Sequence, residues 1–108
     1  MAKFNGFGGG NMQQMMKQAQ KLQQEIEQKK EELANSEVSG TAGGGLVEVI
    51  LMGNKDFKKI NIKPEAVDPD DIEMLEDLIA AAFKDAVRKV EELEQEKLGF
   101  LSGMGGLF

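Results

Sequence analysis

The sequence predicts an α+β protein: a long helix, a three-stranded antiparallel sheet and a second long helix. Three observations carry this. Apolar residues recur at heptad spacing over 12–34, the period shortens to two between 37 and 63, and a wide apolar helical stripe fills 69–98. The two ends, 1–11 and 99–108, are Gly-rich and read as flexible tails flanking a single domain at 12–98.

In the first helix Met12, Ala19, Ile26 and Leu33 lie seven apart, and Met15, Leu22 and Lys29 form a second row three residues on. The remainder is Gln, Lys and Glu, all good helix formers. Such a helix would be about 35 Å long. Its narrow apolar stripe asks for a partner along one seam. Asn35 and Ser36 are end signals.

The strands come next. A short one spans Val38 to Ala42. "LVEVILM" is apolar and β-branched, with Val47, Val49 and Leu51 on one face and Glu48 on the other. "GNK" (Gly53 to Lys55) is a hairpin turn in which Gly and Asn tolerate positive φ. "FKKINIK" then places Lys58, Ile60 and Ile62 opposite Phe57, Lys59 and Asn61. For the second helix, Asp68 is the expected cap, Pro69 the first helical residue and Gly99 the stop. "LEDLIAAAFKDAV" is apolar on a face broad enough to cover the sheet, whereas "EELEQEKL" thins out and projects. The seams and edges left over predict a homodimer, held by the sheet region through Gly43, Gly44, Gly45, Val47, Val49 and Leu51.

Function classes can be narrowed in the same way. The run Gly43 to Gly45 precedes a strand, with Leu46 and Val47 next, so it lacks the strand–loop–helix order of a phosphate-binding loop. It reads as a tight turn or a place of close backbone approach. The chain has no His, Cys, Tyr or Trp, which leaves nucleophilic catalysis without its usual base and any metal without imidazole or thiolate. No enzyme, metal, cofactor or small-molecule substrate is expected. No apolar run approaches the ~18 residues of a membrane span.

Net charge is -6, unevenly divided: residues 1–64 hold nine Lys against seven acids, and 65–108 hold four cations against twelve acids. Lysines lie on helix 1, on the hairpin at Lys55, Lys58, Lys59 and Lys63, and on helix 2 beside Arg88. On residues alone they are either solvated faces with Glu–Lys pairs or contacts for a polyanion.

Together these segments resemble a known family. "MMKQAQKLQQEIEQKKEELANSEVSGTAGGGLVEVILMGNKDFKKINIKPEAV" followed by "DIEMLEDLIAAAFKDAVRKVEE" is similar to the YbaB/EbfC nucleoid-associated proteins of bacteria over about residues 12–98, most specifically at "AGGGLVEV", the turn "GN" and "EDLIAAAFKDAVRK". The resemblance implies a tweezer-like homodimer that grips double-stranded DNA with projecting helix arms, in the cytoplasm on the nucleoid, without catalysis or cofactor. It implies DNA-binding roles for Lys17, Lys21, Arg88 and Lys89. A second reading stays open: a protein-interaction module using acidic coiled-coil arms and apolar tails.

Overall fold

The computed structural model describes residues 2–101, and side chains from residue 12 onward. Most of the second predicted tail, 102–108, lies outside the described residues. The element order is α1 (Ala2–Ala34), β1 (Glu37–Ala42), β2 (Val47–Met52), β3 (Phe57–Ile62), a 3-10 turn (Pro64–Ala66) and α2 (Ile72–Leu98). The strands form one antiparallel meander in the order β1-β2-β3. The predicted α+β architecture is thus present, in an elongated chain of 85 × 21 × 16 Å.

α1 starts ten residues before the predicted helix, within the glycine-rich segment assigned to a tail. Helix propagates cooperatively from a formed turn, so it can run through residues too poor to nucleate one. Its C-terminal end agrees with the sequence: Ser36 Oγ donates to Glu32 O at 2.7 Å, and Asn35 N donates to Glu31 O at 3.1 Å.

α2 packs mainly across β1 and β2. A helix is about 10 Å across and strands lie about 4.8 Å apart, so one helix covers two strands. Beneath it Val47, Val49 and Leu51 are essentially fully buried against Ala82, Ala86 and Val90. Each such aliphatic side chain contributes about 1.5–3 kcal/mol. These three β2 residues therefore belong to the core of a single chain.

The approach of α2 to the sheet is set at Gly40. A Cβ there would overlap Ala86 N and Ala82 O and lie 2.6 Å from Ala86 Cα. A strand glycine of this kind lets another backbone come close. Gly53 plays the same part for α1, because a Cβ on it would collide with the Leu33 carbonyl.

Several local details differ from the sequence reading. The cap of α2 is Asp71, whose Oδ1 accepts from Met74 N at 3.1 Å. Asp68 and Pro69 instead open a turn closed by Asp71 N donating to Asp68 O at 2.9 Å, with Pro69 at the second position that its fixed φ favours. α2 ends at Leu98 with Gly99 at its C-cap, as expected, but Gly99 has φ -60 and ψ -26, a right-handed rather than left-handed conformation, and residues 99–101 follow as a 3-10 turn. In the β2–β3 turn the positive φ falls on Lys55 (φ 73) rather than on Gly53 or Asn54. The turn is closed by Lys55 N donating to Met52 O at 2.8 Å. Beyond it the register shifts, pairing Ile50 with Lys59 but Leu51 with Phe57, so strict alternation in β3 breaks at Lys58.

Two glycine substitutions should separate two kinds of constraint. Gly40→Ala should destabilise the chain by about 1–3 kcal/mol, because the methyl group must push α2 off β1. Gly44 has φ +69 with open space around it, so Gly44→Ala should cost about 1 kcal/mol from backbone strain alone. Urea unfolding of both variants checks the order. A larger loss at Gly44 would contradict this account of the α2–β1 packing.

Candidate nucleic-acid interface

The distal half of α1 carries the most open cationic surface. The chain has no acid before Glu25, so residues 12–24 offer only Gln, Lys, Ala, Met and Leu. Lys17 and Lys21 are both exposed there, and among the described residues neither makes an ion pair. At 3.6 residues per turn each lies about 160° around the helix from Ala19, on the face opposite the apolar stripe. Gln14 and Gln24 extend the same outer row and add neutral amide donors. This acid-free run was open to sequence inspection, but counting net charge over longer stretches conceals it.

Arg88 and Lys89 sit differently. Both lie over the β1 edge of the sheet and are tied to acids of their own helix. Arg88 donates to Asp85 Oδ1 at 2.8 Å and to Glu92 Oε1 at 2.5 Å, and Lys89 pairs with Asp85 at 3.2 Å. Asp85 also accepts from Thr41 N at 3.0 Å, which satisfies an edge N–H of β1. That backbone hydrogen bond, followed by Arg88 and Lys89, holds the Asp85 carboxyl well below the usual carboxylate range. Asp85 and Glu92 in turn raise the Arg88 guanidinium further. The cluster fastens α2 to β1 at the side.

The structure does not bring the four predicted cations together. From Arg88, α2 runs past the sheet until Phe100 reaches Lys29 of α1, 4.7 Å from ammonium to ring centroid. Counting helical rise along both helices, Lys21 lies roughly 30 Å from Arg88. The overhanging end of α2 is held to α1 by Lys97–Glu32 at 3.9 Å and by buried Ile26 and Leu33.

The hairpin lysines are partly engaged: Lys55 pairs with Glu91 at 3.7 Å, and Lys58 pairs with Glu37. On the sheet face away from α2, Glu48 accepts from Ser39 at 2.6 Å and Asn61 at 2.9 Å. These bonds, Ser39 first, lower its pKa.

Gly43, Gly44 and Gly45 have φ of 65, 69 and 95, forming the loop between two antiparallel strands. The loop opens no helix, so it has no dipole to bind phosphate. Among the described residues no three His, Cys, Asp or Glu side chains converge as a metal site, and no helix is long and apolar enough to cross a membrane.

The described residues thus form a small α+β fold whose first helix carries an acid-free stretch with exposed Lys17 and Lys21. Residues 8–105 match the model of the YbaB/EbfC DNA-binding family, and the chain belongs to that family. It is 51% identical to a nucleoid-associated protein of Acetivibrio thermocellus over the full length of both chains. It is 52% identical to one of Saccharopolyspora erythraea, covering 92% of this chain and 86% of that relative. Among solved structures, uncharacterized protein HP0035 from Helicobacter pylori shares the fold, with a TM-score of 0.65 at 23% identity, over 82% of this chain and 91% of that one. The family is one of DNA-binding proteins, not of enzymes.

The Asp85 cluster makes a pH prediction. Its carboxyl is depressed in the folded chain, so the stability it contributes is complete above the ordinary value of 3.8 and is lost as pH falls below that. Asp85→Asn keeps an acceptor for Thr41 N but removes the charge. The variant should be less stable than the parent at pH 7, and the gap should close towards pH 2. A gap independent of pH, in urea melts across that range, would show that the charge contributes nothing.

Proposed function

We propose that the protein is a nucleoid-associated DNA-binding protein of the cytoplasm that acts as a homodimer, gripping double-stranded DNA between projecting α1 arms without catalysis. The observation that carries this reading is the acid-free arm with exposed Lys17 and Lys21, in a chain whose family binds DNA. Net charge of -6 does not oppose it. The acids are concentrated elsewhere, and at physiological salt a charge beyond about 8 Å is largely screened. A lysine touching a phosphate is not. Contacts of this kind read backbone and shape rather than base edges. Arg88 and Lys89 contribute less in this scheme, because their charge is already engaged.

The dimer is proposed through the uncovered β3 side. Ile62, Val67 and Phe83 are 38%, 48% and 46% exposed there, beside half-buried Ile60 and Val87. Phe83 lies about 160° around α2 from Asp85, on the flank facing β3. Exposed apolar residues on this side are what a second copy would cover. Phe83→Asp should therefore give a folded monomer in sedimentation, whereas Val49→Asp should unfold the chain by burying an unpaired charge. A stable wild-type monomer at micromolar concentration would refute the assembly.

DNA binding should be electrostatic and salt-dependent. Removing Lys17 and Lys21 takes four cations from the dimer, so Lys17→Ala with Lys21→Ala should flatten the log–log salt slope by up to about 3.6. Arg88→Gln with Lys89→Gln should flatten it less. Equal effects would place the interface on α2 as well. No duplex binding by the wild-type dimer at low salt would favour the protein-interaction reading, in which the acidic arms dock another protein.

A further inference from the structure

Glutamine stands where an acid would ordinarily neutralise the lysines of the α1 arm. On a helix, residues three and four apart are neighbours. For Lys17 these are Gln13, Gln14, Gln20 and Lys21; for Lys21 they are Lys17, Gln18, Gln24 and Glu25. On α2 the same spacing ties Arg88 to Asp85 and Glu92, and Lys89 to Asp85. A glutamine in such a position keeps nearly the helix propensity of glutamate. It leaves the ammonium unpaired, however, and adds two amide N–H donors of its own.

Part of this set falls into one row. At about 100° per residue, Gln14, Lys17, Lys21 and Gln24 lie within an arc of roughly 80°, opposite Ala19. All four are exposed. Their spacing of three or four residues puts a polar donor about every 5 Å along the arm. The row stops at Gln24, because Glu25 and Glu27 follow. Gln23, the adjacent residue, turns about 100° away and lines the apolar groove with Ala19, Leu22 and Ile26.

We propose that Gln14 and Gln24 are further DNA-contact residues, each donating an amide N–H to a phosphate oxygen beside those held by Lys17 and Lys21. This rests on the reading of the arm as a DNA-binding element. The two residue types act differently. An ammonium that neutralises a phosphate releases a counterion, so its contribution falls as salt rises. A neutral amide releases none, and its hydrogen bond to a charged oxygen keeps its strength. The row therefore has a salt-sensitive centre and two salt-insensitive ends. Contacts of both types fix the position of the arm on the duplex without reading its sequence.

Labelled duplexes of differing A·T content, titrated with the full-length protein over a range of salt, test this. Failure of the wild-type protein to bind at low salt would remove the DNA-binding reading and these contacts with it. Given wild-type binding, Gln14→Ala with Gln24→Ala should weaken it about tenfold or more on every duplex. The log–log salt slope should stay unchanged, unlike the flattening expected when lysines are removed. Gln23→Ala, on the apolar side, should bind as the wild type does. Alanine favours helix, so circular dichroism should show the arm intact in both variants. Wild-type affinity in the double variant, an equal loss in Gln23→Ala, or a loss accompanied by a flattened slope would overturn the assignment. A loss confined to duplexes of one composition would move the amides to base edges and overturn it as well.

Discussion

The backbone approach of α2 to β1 at Gly40 fixes where the rest of the chain can go. With no side chain at Gly40, Ala82 and Ala86 sit directly on the strand. That closeness seals Val47, Val49 and Leu51 from water and brings Asp85 level with the Thr41 N–H. It also fixes the axis of α2. Eleven residues beyond Val90, the chain reaches Leu101 on α1, so the angle set at Gly40 decides whether the overhang meets that helix. A wider spacing would loosen the core and swing the overhang away from Ile26.

The elements were legible because their periods are clean. Alternation in Val47–Met52 buries one face, where a slip would expose it, and the heptad spacing from Met12 to Leu33 buries Ile26 and Leu33 at its sheet end. Turn and cap details were less legible because rival residues compete over short distances. Asp68 and Asp71 both suit a cap, and Pro69 suits a turn as well as a first helical position. Gly40 was overlooked beside the louder run at Gly43 to Gly45, although a lone glycine inside a strand signals close packing. Residue type could identify the cations of the candidate interface but not their partners. Asp85 lies three and four residues from Arg88 and Lys89, the helical spacing at which opposite charges pair.

Charge tracks the architecture rather than the average. The acidic run Glu91 to Glu96 lies where α2 overhangs the sheet, and there Lys97 and Glu32 link the two helices. The cationic part of α1 begins only beyond this contact. The two signs are therefore separated along the long axis, on a scale exceeding the ~8 Å over which salt screens them. Net charge governs solubility and self-repulsion. Local charge governs what each end can touch, and here the two disagree in sign.

One helix cannot cover three strands, and a helix longer than the sheet must leave part of its stripe without a sheet to lie on. These two geometric facts create two different apolar remainders. The first, beside β3, is broad and includes Phe83, Ile62 and Val67. Its breadth matches a second folded surface. The second, along Met12 to Leu22, is one seam wide and ends where Leu101 enters the groove. Its narrowness matches a single helix. The two lie more than about 20 Å apart by helical rise and share no residue. Sites so separated are expected to contribute independently to stability. Covering the arm therefore does not cover the β3 flank, and the chain needs two separate solutions for the two surfaces its single α2 leaves open.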